Sequence, residues 1–302
     1  INLMPHSPDK APRFVEETHG QGAGWLGPVW QPMRIDANPN SPEYSVGELA
    51  PSLELSGTRM DDRASLLRSL GAGFGPNQTE TAAQAEHRER ALRLLANRKA
   101  AMAFDLRMEP QSVRERYGMN IHGQSVLQAR RLVEAGVPLV TVYWPNDGIT
   151  NVSVYWDTHS RNFIDLKTRL CPPGDQAFCA LLDDLEARGM LDETVVVWSG
   201  EMGRTPKVGQ SVPGGAGAGR DGRDHWAKVF SCIVAGGGFR RGLVHGSSDR
   251  YAAEPNTSPV RPADLVATLY HQLGVDPHTV IRDRLGREIP LVSGEVLQQL
   301  TT

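Results

Sequence analysis

Two short stretches of this chain set acid and imidazole side by side. Asp157 and His159 stand two residues apart in Trp156-Asp157-Thr158-His159, and Asp224 and His225 are neighbours in Gly222-Arg223-Asp224-His225-Trp226. In an extended segment, residues i and i+2 face the same side, so Asp157 and His159 have a usable spacing for two ligands on one metal. Glu201 adds a third carboxylate in Ser199-Gly200-Glu201-Met202-Gly203-Arg204-Thr205-Pro206. Three carboxylates and two imidazoles without a thiolate suit a divalent ion such as Zn, Mn, Ca or Mg. Such an ion could hold a phosphate or sulfate ester and polarise its bond. Arg204 and Lys228 are the candidates for neutralising the anion. The same residues also fit separate hydrogen-bonded loop caps, with Arg204 and Arg223 pairing Glu201 and Asp224.

The elements around these loops explain why they could meet. Val195-Val196-Val197-Trp198 is an apolar, β-branched run that breaks into the Glu201 loop, the pattern of a buried strand delivering a polar loop at its end. A Gly-rich excursion, residues 213–219, leads to Asp224 and His225, and a second apolar run follows at 229–235. Upstream, residues 123–135 read as an amphipathic helix stopped by Gly136 and feeding a strand at 139–144, a signature of α/β architecture. Residues 163–170 and 175–189 read as two helices, and 264–273 as a last one, before a terminal ribbon near 286–291. Helices are also expected at 63–70 and from 79 to about 106. Residues 1–60, rich in Gly, Pro and Asn, read as irregular loops laid over the core. Strands near 139–144, 195–199 and 230–235 are expected in one mainly parallel sheet, since enough chain separates each from the next for a crossover.

Length and charge narrow the rest. A chain of 302 residues, 39% hydrophobic, can bury one substantial core, and a single domain over 1–302 is expected. A net charge of -3 and a pI near 6.3 give no electrostatic reason for a nucleic-acid partner. No apolar segment approaches the roughly 18–20 residues that span a bilayer. The three cysteines, Cys171, Cys179 and Cys232, form neither a complete disulfide framework nor a zinc motif. His87, His245, His271 and His278 lack ligand company and read as solvated or structural.

Taken together, the Trp156 to His159, Gly200 to Pro206 and Gly222 to Trp226 motifs, with Ala235-Gly236-Gly237-Gly238, resemble the domain-of-unknown-function-1501 (DUF1501) family. That family consists of sulfatase-like proteins of the alkaline phosphatase superfamily. The resemblance implies a parallel sheet flanked by helices, with Asp157, His159, Glu201 and His225 sharing metal at the strand ends, and an exported or periplasmic protein. It also implies that the chain starts beyond the first strand and its acidic loop, which carry another ligand and the surroundings of the nucleophile. Gly200-Glu201 stands where sulfatases and phosphatases carry Asp-His. The expectation is a metal-dependent hydrolase of phosphate or sulfate esters, on a small-molecule or glycan substrate, with an incomplete site in this chain. The alternative is a non-catalytic secreted or surface protein retaining the old metal site. A shared ion requires the donor atoms to lie within roughly 4–5 Å of one another.

Overall fold

The computed structural model describes residues 1–4, 21–27, 30–46, 98–145, 156–283 and 285–302, together with 62, 65, 66 and 69. Of the helix expected at 63–70 only 65, 66 and 69 are described, each helical, and most of the one from 79 to 106 lies outside the described residues. The chain divides into two compact units, Ile1–Gly148 and Ile149–Thr302.

In the first unit, β1 (Asn2–Leu3) is the central strand of a parallel three-stranded sheet, between β2 (Arg34–Ile35) and β3 (Thr141–Val142). β1 and β2 both come from the Gly/Pro-rich region read as loops, where runs of two residues leave no periodicity to detect. Helix α1 (Arg98–Ala103) and α2 (Gln111–Tyr117) precede α3 (Ile121–Glu134). Asn120 caps α3 by accepting from the Gly123 amide at 2.9 Å. One stripe of α3 supplies Leu132, which packs with Leu3, Ile35, Ala103 and Phe104 in the buried core. Glu109 is buried between Arg130 and Arg131, which offset the cost of removing its charge from water.

In the second unit, the two helices expected at 163–170 and 175–189 are one continuous run. α4 (Asn162–Asp165) passes through a wide π turn, Leu166–Leu170, into α5 (Cys171–Ala187). Pro172 and Pro173 lie in the first turn of α5, directly after the π turn. The π turn carries the chain across by bonding Cys171 N to Leu166 O. Four antiparallel pairs follow: β4 (Val196–Trp198) with β7 (Ile233–Ala235), β5 (Gly203–Arg204) with β6 (His225–Trp226), β8 (Ser247–Ser248) with β9 (Pro255–Thr257), and β10 (Val280–Arg282) with β11 (Glu288–Pro290). The last pair is the expected terminal ribbon. Helix α6 (Pro262–Gln272) starts where Asp264 accepts from the Arg261 amide at 3.1 Å and from its guanidinium at 2.9 and 2.6 Å.

The expected single parallel sheet is therefore corrected. The runs at 195–199 and 230–235 pair with each other antiparallel, and the strand at 139–144 belongs to the other sheet. A parallel return needs a crossover, and residues 199–232 contain no helix to make one, only the β5–β6 hairpin and turns. β4 is not sheathed on both faces either, since Val197 is 42% exposed. What stands is an α/β chain of helices and small sheets, one three-stranded and parallel. No helix among the described residues is long and apolar enough to cross a membrane.

Candidate metal centre

Aromatic packing sets Asp157 and His159 in place. Trp198 on β4 meets Phe178 of α5 at 5.1 Å between ring centroids and takes the edge of Trp156 at 6.2 Å and 83°. Asp157 therefore leaves from a fixed residue. The next two residues run through consecutive tight turns, with Thr158 N bonding Trp156 O at 2.9 Å and His159 N bonding Asp157 O at 3.2 Å. Thr158 is fully buried, and its hydroxyl accepts from Asn162 Nδ2 at 2.6 Å, tying the turn to the first residue of α4. Asp157 and His159 thus end on the same side, as the spacing predicted, although the backbone is turned rather than extended.

The β5–β6 hairpin delivers the second doublet. Arg204 sits opposite His225 and Gly203 opposite Trp226. A Cβ on Gly203 would lie 1.9 Å from Val229 O, so only glycine admits this approach. Thr205 is fully buried and locks the hairpin from both sides: its amide donates to Asp224 O at 2.9 Å, and its hydroxyl accepts from Asp224 N at 3.1 Å. Beneath it the Gly-rich loop presses on the His159 backbone so closely that a Cβ on Gly222 would fall 1.6 Å from His159 O.

These two supports bring three donor atoms together. Asp157, His159 and His225 offer ligand atoms that all lie within 4.8 Å of one another. Asp157 Oδ1 is 2.6 Å from His159 Nε2 and 2.8 Å from His225 Nε2, and the two rings stand 4.6 Å apart. The tautomer of His159 follows from its other nitrogen. Nδ1 lies 2.9 Å from the carbonyl oxygen of Gly217, which can only accept, so Nδ1 carries a proton and Nε2 is the nitrogen that faces Asp157. That Nε2 is buried and makes no hydrogen bond. A 2.6 Å approach of imidazole nitrogen to carboxylate oxygen calls for positive charge between them, a proton on Nε2 or a metal ion, and the donor set of one carboxylate and two imidazoles fits a divalent ion. Ligands on a tetrahedral ion at about 2.1 Å sit roughly 3.4 Å apart, so the donors must open by under about 1 Å. Asp157, with its side chain 54% exposed, is the one free to move. Burial pushes the Asp157 carboxyl upward, but the His225 hydrogen bond and the charges of His159, His225 and Arg204 outweigh it and hold the carboxyl below its ordinary value.

Asp224 does not join the triad. It is fully buried, accepting from the Val212 and Gly217 amides through Oδ2 at 2.8 and 3.3 Å and from the His225 amide through Oδ1 at 2.8 Å. The Val212 bond foremost, with those from His225 and Gly217 and the nearby His159, holds its carboxyl below the usual range against the effect of burial. Its Oδ1 is also 3.5 Å from His159 Nδ1, so Asp224 backs the His159 ring and the His225 main chain. Glu201 is exposed on the loop after β4, outside the group of converging donors. That loop leaves β4 without the parallel neighbour whose end would have faced Asp157. Arg204 does reach the site: its guanidinium donates to Trp156 O at 2.9 Å and lies 3.4 Å from Asp157 Oδ1. Arg223 bonds Thr205 O at 2.7 Å, so neither arginine makes the pairing with Glu201 or Asp224 that separate caps would require. Lys228 pairs with Glu254 and lies 5.5 Å over the Trp226 ring. Sequence reasoning missed Gly217, Thr205 and Asn162. Thr205 and Gly217 act through long-range contacts and Asn162 through a bond four residues away, and Gly217 acts through a main-chain atom that residue type does not disclose.

A family model described as protein of unknown function (DUF1501) matches residues 5–301. No curated protein and no solved structure matches the chain.

Proposed function

The chain belongs to the DUF1501 family, and from that premise we propose that it is a metal-dependent hydrolase of phosphate or sulfate esters, with Asp157, His159 and His225 holding one divalent ion. The observation that carries this reading is the convergence of the three donors, with His159 Nε2 turned toward Asp157. The sulfatase-like character of the sequence motifs supports the reaction class, an analogy between families rather than a feature of the site. Bound there, an ion acts as a Lewis acid toward an ester oxygen. The protein's own part is positional. Gly217 holds the His159 ring and Asp224 the His225 main chain, Asp157 supplies the anionic ligand, and the Arg204 guanidinium beside it adds positive charge for an anionic ester. Glu201 standing outside the triad favours a second reading, a non-catalytic binding protein that keeps the metal site.

Metal analysis after chelation and reloading with Zn or Mn, combined with assays on 4-nitrophenyl phosphate and sulfate, separates these readings. Turnover lost on chelation and restored by metal supports the hydrolase, with His159→Ala and His225→Ala each weakening metal binding by at least ~100-fold. Stoichiometric metal without turnover overturns the hydrolase in favour of the binding protein. A chain that takes up no divalent ion overturns both.

A further inference from the structure

The first unit contains a cavity of about 220 Å³ bordered by the 39–44 loop, residues 105–107 and α2. At roughly 20–30 Å³ per non-hydrogen atom, it has room for about seven to eleven. Arg114 is the cation in its wall, and it is built in place. Gln124 is completely buried, and all its hydrogen-bonding groups grip this region: Oε1 accepts from Arg114 Nε, while Nε2 donates to Arg114 O and to Gly118 O, each at 2.9 Å. The two terminal nitrogens of Arg114 have no partner among the described residues. A guanidinium clamped along one edge presents its remaining donors at a fixed angle, which suits a planar carboxylate.

Three other features define what else the cavity takes. Pro39, Asn40, Ser41 and Pro42 form the loop side of the wall. Asp105 neutralises Arg107 through bonds of 2.7 and 2.8 Å, so the excess charge in the wall is the single positive charge of Arg114. Leu106 and Met119 supply apolar surface, and Tyr44, held to Gln128 Oε1 at 3.1 Å, stiffens one side.

We infer that this cavity binds a small organic acid, with the carboxylate on Arg114. The site uses none of the residues of the metal triad. Ligand-observed NMR of the full chain tests it with butyrate and methyl butyrate, the same chain with and without the charge. The acid binds saturably in the ~millimolar range, and the ester binds more weakly. Arg114→Gln weakens the acid by roughly 10- to 100-fold, the loss of a charge-assisted pair of hydrogen bonds. Because Arg114→Gln also disturbs the Gln124 clamp, Met119→Trp provides a second variant that fills the cavity and leaves the clamp intact; it abolishes binding with an unchanged circular dichroism spectrum. The inference is overturned if no acid binds saturably below ~50 mM, if the ester binds as tightly as the acid, or if Met119→Trp binds like the parent.

Discussion

Replacing His122 by phenylalanine tests how far burial controls protonation in the first unit. His122 is the second residue of α3, its ring lies 4.1 Å from that of Trp144 at 32°, and its Nδ1 is buried without a hydrogen-bond partner. Burial lowers its pKa from 6.5 to about 4, and its place at a helix N-terminus also disfavours the imidazolium. Because the folded pKa lies below the unfolded one, the stability that depends on neutral His122 is complete above pH 6.5 and drains away as pH falls toward 4. At about 1.4 kcal/mol per unit, the full shift amounts to about 3 kcal/mol, and partial exposure of the ring reduces this to roughly 2. The phenylalanine ring keeps the contact with Trp144 and cannot protonate. Urea unfolding followed by Trp fluorescence, run from pH 7 to pH 4 on parent and variant, therefore shows the parent losing about 2 kcal/mol relative to His122→Phe across that range. The difference isolates His122 from the carboxylates, which titrate in both proteins. Parallel pH profiles, or an NMR titration placing the native His122 pKa near 6.5, refute the reasoning.

Three further outcomes bear on the metal centre. Asp224→Asn lowers metal affinity by roughly 10- to 100-fold and broadens the His159 tautomer equilibrium in ¹⁵N spectra; unchanged affinity with a single Nδ1–H tautomer shows that Asp224 only closes its loop. Glu201→Gln leaves metal affinity within about 3-fold of the parent by calorimetry, since Glu201 lies outside the converging donors, and a tenfold loss would return it to the ligand set. Gly222→Ala drives a methyl into His159 O and lowers both Tm and metal binding; a variant with parental Tm shows that the loop can step aside.

What could be read from the sequence was mostly local. The helix ending at Gly136, the helix starting at Pro262 and the terminal ribbon carry their periodicity and their stop signals within a dozen residues. The join between the helices at 163–170 and 175–189 was not readable, because Pro before a helix and Pro within one look alike until the turn preceding them is known. Strand direction was not readable for a similar reason. An apolar run such as 195–199 looks the same whether its partner lies parallel or antiparallel, and the deciding fact was the lack of a helix between 199 and 232.

The site divides along the same line. Asp157 with His159, and Asp224 with His225, are doublets whose members are placed by one or two peptide units, so their mutual geometry is nearly settled by covalent structure. Bringing the doublets together then needs only one further arrangement, and the Trp156–Trp198–Phe178 stack and the Thr205–Asp224 lock provide it. Glu201 had no partner within reach along the chain. Its placement depended on strand pairing, the feature that sequence pattern specifies least, and it is the predicted ligand that stands farthest from the role assigned to it. The argument extends to Gly217: a main-chain carbonyl that sets the tautomer of His159 is available at any residue type. Sequence therefore discloses the ligands of such a site more readily than the atoms that orient them, and the orienting atoms are where the effect of substitution must be measured.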